Sequence, residues 1–310
     1  MKKKALIFIL CLTIALCMSA CGGATTKTPI SNDNSNTSDS NDSDLTKEQA
    51  KQSSKSETAE KAAVAIEDGT VLVDRDGIVV TARKLVDDSI WGYGVKVLME
   101  NNSDKNIGVQ CNSLIVNNYM IADMFSSSIA AGKKSNDTIY LSSSGLEAAG
   151  IETISDIVFK FRVYDSDSYD TLFDTDEIEL KTSAYGIVDQ PAMDDGKELF
   201  SQDGIRIIGR YVEEGSFWGA GVLLFIENNY GENILVQCDN MSINGFMVTP
   251  FFSCTVNNGR RALDDITVFS SDLKENDIES VENIEIIFKI IDPDTYHTII
   301  ETEPVTFSVE

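Results

Sequence analysis

Two short aspartate clusters are the best-spaced metal ligands in the chain: Asp165-x-Asp167 followed by Asp170, and Asp292-x-Asp294. Alternating carboxylates suit calcium, which extracellular modules often hold through several carboxylate and carbonyl oxygens. Neither cluster has the glycine and terminal glutamate of an EF-hand loop, and Pro293 and His297 interrupt the second. Aspartates in such places also close tight turns by accepting from their own backbone. The turn is the expected role, and calcium is the single cofactor worth testing. Trp91 and Trp218 sit in a shared Ser-x-Trp-Gly-x-Gly segment. An exposed tryptophan there would stack on a sugar or a peptide. The ordinary alternative, and the expected one, is a core anchor at the start of a strand, with the glycines making room. Arg83 and Arg210 occupy matching positions and are candidate pocket-lining residues, although satisfied polar or edge positions explain them as well.

Familiar catalysis is hard to assemble from this composition. The 310 residues contain 1 His, 50 Asp+Glu and 25 Lys+Arg, for a formal charge of -25. One histidine rules out a multi-histidine metal site and makes a Ser-His-Asp arrangement difficult. No Gly-x-Ser-x-Gly, P-loop, His-Glu-x-x-His or dinucleotide fingerprint occurs. An acid excess of this size argues against nucleic acid as a partner, because phosphate contacts need Lys/Arg patches. A carboxylate pair of the glycoside-hydrolase kind has no positive support, so an envelope-modifying hydrolase stands only as an alternative. The acidic run Glu275–Glu285 is a solvated face or a docking surface for a cationic partner.

The N-terminus reads as an address. Lys2, Lys3 and Lys4 precede an apolar run from Ala5 to Leu16, too short to span a bilayer at about 20 residues. Met18-Ser-Ala-Cys21 follows and resembles a bacterial lipobox. Residues 1–20 are then a lipoprotein signal peptide, and Cys21 carries the lipid that attaches the chain to the extracytoplasmic face of the cell membrane. Cys111, Cys238 and Cys254 remain; three cysteines make no disulfide framework, and they are expected as buried thiols. Residues 21–69 read as a disordered polar tether. Thr25 to Asp44 is too poor in apolar residues to fold, and a short helix is expected around Glu57–Ile66.

The remainder is a duplication. Asp76-Gly77-Ile78 aligns with Asp203-Gly204-Ile205 at an offset of 127, and the match runs without a gap for more than 100 positions. Glu100-Asn-Asn102 meets Glu227-Asn-Asn229, Val109-Gln-Cys111 meets Val236-Gln-Cys238, and Asn117-Asn-Tyr-Met120 meets Asn244-Gly-Phe-Met247. Residues 70–184 and 198–310 are the two copies, joined by a linker at 185–197. Within each, Ile157, Phe159, Phe161 and Val163, or Ile284, Ile286, Phe288 and Ile290, alternate with polar residues, the pattern of half-buried antiparallel strands. Asn244-Gly245 predicts a two-residue hairpin turn, which makes facing residues sum to 489. The expected fold is all-β: two tandem immunoglobulin-like antiparallel β-sandwiches.

A lipobox, a polar tether and modules with a strand–Asn-Asn–strand, Gly-Lys and Asp-x-Asp rhythm resemble the extracellular Ig-like lipoprotein domains of Gram-positive bacteria. The resemblance implies fold and location, not a reaction. Residues and resemblance together suggest a non-enzymatic, lipid-anchored module that binds an unidentified protein or envelope ligand, with a passive surface spacer as the plainer alternative. Charge divides unevenly, at −8 on residues 70–184 and −14 on 198–310. The copies therefore share a fold but not a surface.

Overall fold

The computed structural model describes residues 25–30, 64–122 and 124–309. The signal segment, Cys21 and most of the expected tether lie outside these residues. The described residues are nearly all β, with two helices of six residues among them. A first strand, β1 (Thr26–Pro29), precedes both modules. The first module contains β2 (Thr70–Arg75), β3 (Ile78–Asp88), β4 (Gly92–Asn101), β5 (Ile107–Val116), β6 (Tyr119–Met120), β7 (Ser126–Ile129), β8 (Lys134–Tyr140), α1 (Ser143–Ala148), β9 (Asp156–Asp165), β10 (Thr171–Asp174) and β11 (Ile178–Lys181). The second contains β12 (Lys197–Gln202), β13 (Ile205–Glu214), β14 (Gly219–Asn228), β15 (Ile234–Ile243), β16 (Phe246–Val248), β17 (Pro250–Phe251), β18 (Ser253–Val256), β19 (Arg260–Phe269), α2 (Ser270–Glu275), β20 (Asn283–Ile291), β21 (Thr298–Glu301) and β22 (Val305–Ser308).

Pairing follows the immunoglobulin scheme in both modules. β3, β4 and β8 form one antiparallel sheet, and β5 pairs β9 in the other. β13, β14 and β19 repeat the first arrangement, and β15 with β20 repeats the second. The sheets close over the alternating apolar stripes. Val97, Phe159 and Phe161 are buried in one core, and Leu224, Ile286 and Phe288 in the other. Each large side chain so enclosed contributes roughly 1.5–3 kcal/mol.

The turns are set by residues that tolerate a left-handed backbone. Asn244 (φ 52°) and Gly245 (φ 83°) join β15 to β16 with Ile243 opposite Phe246, the register in which facing numbers sum to 489. Asn117 (φ 47°) and Asn118 (φ 71°) do the same in the first module. Both asparagines are also staples: Asn117 Nδ2 donates to Thr153 O and Asn244 Nδ2 to Ser280 O, each at 2.8 Å. The fully buried Asn101 and Asn228 repeat this logic, with Nδ2 donating to the carbonyls of Lys105 and Ile129, or of Glu232 and Val256. Every one of these partners recurs at the offset of 127.

Three expectations change. Part of the segment expected to be structureless is a strand: β1 lies antiparallel on the edge of β13, and Ile30, 1% exposed, packs into the second core. Gly209 makes room for it, since a methyl there would meet Ile30 Cδ1 at 2.9 Å, whereas the matching residue in the first module is Ala82. At the other end of that segment, Ile66 forms a bridge with Thr182 instead of ending a helix. Of the three thiols only Cys254 is buried; Cys111 and Cys238 are half-buried at matching bulges of β5 and β15.

The modules stack head to tail. β6 pairs with β19 in parallel at Tyr119 and Arg261, so one sheet of the first module runs on into the second. Tyr119 is fully buried, with its ring 6.5 Å from Phe225; its hydroxyl donates to Pro191 O and accepts from Met193 N. Arg260 donates to Asn118 Oδ1 at 3.0 Å and to Glu177 Oε2 at 2.6 Å. Burial opposes the charge on Glu177, but bonds from Arg260 and Asn257 outweigh it and hold the carboxyl below its usual range. Among the described residues no helix is long and apolar enough to cross a membrane.

Candidate functional site

The hairpin between β3 and β4, and its copy between β13 and β14, each raise an apolar tip. In the first module Asp88 Oδ1 accepts from Ile90 N at 2.8 Å and Trp91 N at 2.9 Å. Those amides, Trp91's foremost, hold the Asp88 carboxyl below its ordinary value. In the second module Ser216 does the tying, accepting from Gly219 N and donating to Gly219 O. Backbone groups are satisfied inside each loop, so the side chains are left to point outward. Trp91 is 61% exposed and Trp218 59%, beside Ile90 at 81% and Phe217 at 87%. The core-anchor expectation for the tryptophans is therefore wrong. The glycines after them begin strands β4 and β14, and the rings stay outside the sandwich.

Neighbouring rings enlarge both tips. Trp91 lies 5.9 Å from Tyr140. In the second module Phe217 meets Trp218 edge-on at 5.2 Å, and Phe251 meets Phe269 at 6.2 Å. Trp218 O accepts from Ser270 N, which places Phe269 and α2 beside the loop. Glu214 accepts from Val281 N, and Asn244 accepts from Glu282 N, so the Asn244-Gly245 hairpin with exposed Phe246 and Met247 belongs to the same end. Glu282, within the acidic run from Glu275, lies at this end through its N–H to Asn244. Exposed apolar residues scattered singly need no explanation, but a cluster rimmed by polar residues marks an interaction surface. The signal available in the sequence was the apolar residue before each tryptophan, Ile90 or Phe217, standing among turn formers.

The other candidates serve the architecture. Arg83 is exposed and pairs with Asp68 at 2.9 Å, whereas Arg210 is mostly enclosed and reaches Asp195 in the linker at 2.6 Å. The repeat matches these two arginines, yet neither joins the aromatic tips. Asp165 Oδ1 accepts from Asp167 N at 3.0 Å and Asp292 Oδ1 from Asp294 N at 2.8 Å, closing the expected turns. Asp165 also pairs with Lys105, and the Asp292 carboxylate accepts from Thr295 Oγ1 at 2.7 Å. Both carboxyls sit below their usual range: Asp165 through the Asp167 amide and then Lys105, Asp292 through the Thr295 hydroxyl and then the Asp294 amide. Asp167 and Asp294 supply backbone N–H groups here, and no group of three or more potential metal ligands occurs among the described residues. Half-buried beside Cys254, Asp264 behaves in the opposite way: desolvation pushes its carboxyl up to about 6.

No protein-family profile matches the chain, and no curated protein matches it. Solved structures similar to it include the YadV chaperone, at 14% identity with 75% of this chain and 100% of that chain covered and a TM-score of 0.24. A protein of unknown function from Porphyromonas gingivalis W83 matches at 10% identity, with 79% and 97% covered and a TM-score of 0.20.

Proposed function

We propose that this chain is a lipid-anchored, extracytoplasmic binding protein without enzymatic activity, attached through Cys21 and engaging a cell-envelope ligand through its aromatic hairpin tips. One observation carries the reading: both copies hold a tryptophan and an apolar neighbour outside the fold, at matching positions, where packing does not require them. Exposing such side chains forgoes roughly 1.5–3 kcal/mol each that burial would contribute. Trp91 with Tyr140 offers two ring faces to a sugar or an apolar side chain, and aromatic anchors of this kind dominate binding energies.

The test uses the full chain with Cys21→Ser, so that no lipid contributes, in sedimentation with isolated bacterial cell wall. The chain sediments, and Trp91→Ala weakens retention at least tenfold. Retention unaffected by Trp91→Ala, or absent altogether, contradicts the reading and favours a passive spacer.

A further inference from the structure

The polypeptide enters the second module at its aromatic end. β1 runs antiparallel to β13, with Thr26 opposite Glu214 and Pro29 opposite Tyr211. Thr26, the first residue of β1, therefore lies beside Glu214, at the end of β13 that leads into Phe217 and Trp218. Strand β1 is fixed there: Ile30 is buried, its N–H donates to Arg210 O at 2.9 Å, and Lys27 reaches Glu213 and the Tyr211 hydroxyl. Cys21 stands five residues before Thr26, a span of at most about 18 Å. Phe217 lies three residues beyond Glu214 in the turn to β14, at most about 10 Å from it. The tip thus falls within reach of the level at which a lipid on Cys21 would sit. The first module docks at the opposite end, where Arg260 and Arg261 begin β19. Strand length alone puts it about 33 Å farther away.

We infer that the aromatic end of the second module seats in the headgroup region of the bilayer, with Phe217, Trp218, Phe251 and Phe269 as the inserted side chains. The inference rests on lipidation of Cys21. It divides the duplicated feature between two tasks: the second copy orients the protein on the membrane, and the first, with Trp91, is left for the envelope ligand. Tryptophan and other aromatic rings favour the bilayer interface, and a lipid anchor gains from a second attachment. Tethering supplies the high effective concentration that a small apolar patch needs. The surrounding carboxylates, Glu213, Glu214, Asp272 and Glu275 among them, are repelled by anionic lipid. Seating is therefore tighter on phosphatidylcholine than on phosphatidylglycerol, and salt narrows the difference.

The chain has two tryptophans, so each is readable alone. The lipidated full chain is reconstituted on phosphatidylcholine vesicles as Trp91→Phe, which leaves Trp218, and as Trp218→Phe, which leaves Trp91. Lipids brominated near the headgroup quench Trp218 at least twofold and leave Trp91 unchanged. Ile30→Asp, which frees β1, abolishes the Trp218 quenching while the chain stays on the vesicles. A lipidated, vesicle-bound chain whose Trp218 is unquenched overturns this inference and leaves the anchor reading intact. A mature chain whose mass lacks a lipid on Cys21 overturns both. Protection of Trp218 by an envelope protein fraction, with none by lipid, overturns it in favour of a protein contact.

Discussion

At single residues, the same segment type served opposite ends in expectation and in structure. A Ser-x-Trp-Gly-x-Gly run is compatible with a ring left outside as well as with the expected one folded into the core, because both need a strand to start at the glycine. What decides it is the backbone bonding of Asp88 and Ser216, which closes each loop on itself. That bonding depends on loop geometry which residue spacing does not encode. The Asp165 and Asp292 turns were legible, because an aspartate two residues before an amide in a tight loop has one obvious partner. Asp264 was not legible, since its burial is tertiary. Its folded carboxyl stays protonated up to about 6, whereas an unfolded aspartate releases its proton near 4. The folded state therefore binds the extra proton between these values, and stability falls as pH rises through that window and is level above it. Asp264→Asn removes this slope and stabilises the chain at pH 7 by at most about 3 kcal/mol, measured as denaturation midpoints from pH 4 to 8.

At the level of elements, the strands with alternating apolar residues were legible, as were the Asn244-Gly245 hairpin and its register. β1 was not. Thr26–Pro29 has no apolar stripe and contributes little beyond main-chain bonds to an open edge, and one apolar residue, Ile30, completes it. Hydrophobic patterning detects faces, not edges. The difference between the modules lies in the edge that receives it, where Gly209 replaces the alanine at position 82. Ile30→Ala should lower stability by about 2–4 kcal/mol, since it empties a fully enclosed site. In the same variant, amide hydrogen exchange should accelerate at Tyr211–Glu214 and leave Ile205–Gly209, held by β12, protected. Uniform acceleration across β13 would mean that β1 supports the whole sheet rather than its own edge.

Over the whole molecule, the duplication was legible but the relation between the copies was not, because it depends on Tyr119, Phe225 and the Arg260–Glu177 pair meeting across the junction. Tyr119→Phe leaves Pro191 O and Met193 N without their hydroxyl partner and costs roughly 1–3 kcal/mol. Tyr119→Ala also opens a cavity between the cores, and its thermal unfolding should split into two transitions where the parent shows one. Head-to-tail stacking aims both aromatic tips along one direction, so a feature that looks like simple repetition becomes one surface at the far end and another partway along. The proposed binding depends on those tips being outside the fold. Acrylamide quenching of the Trp91→Phe and Trp218→Phe chains in solution tests this most directly. Both remaining tryptophans should be quenched at close to the rate of a free indole in water, with long-wavelength emission. Blue-shifted emission that resists acrylamide in either variant would return that ring to the core and remove the surface on which the proposed binding depends.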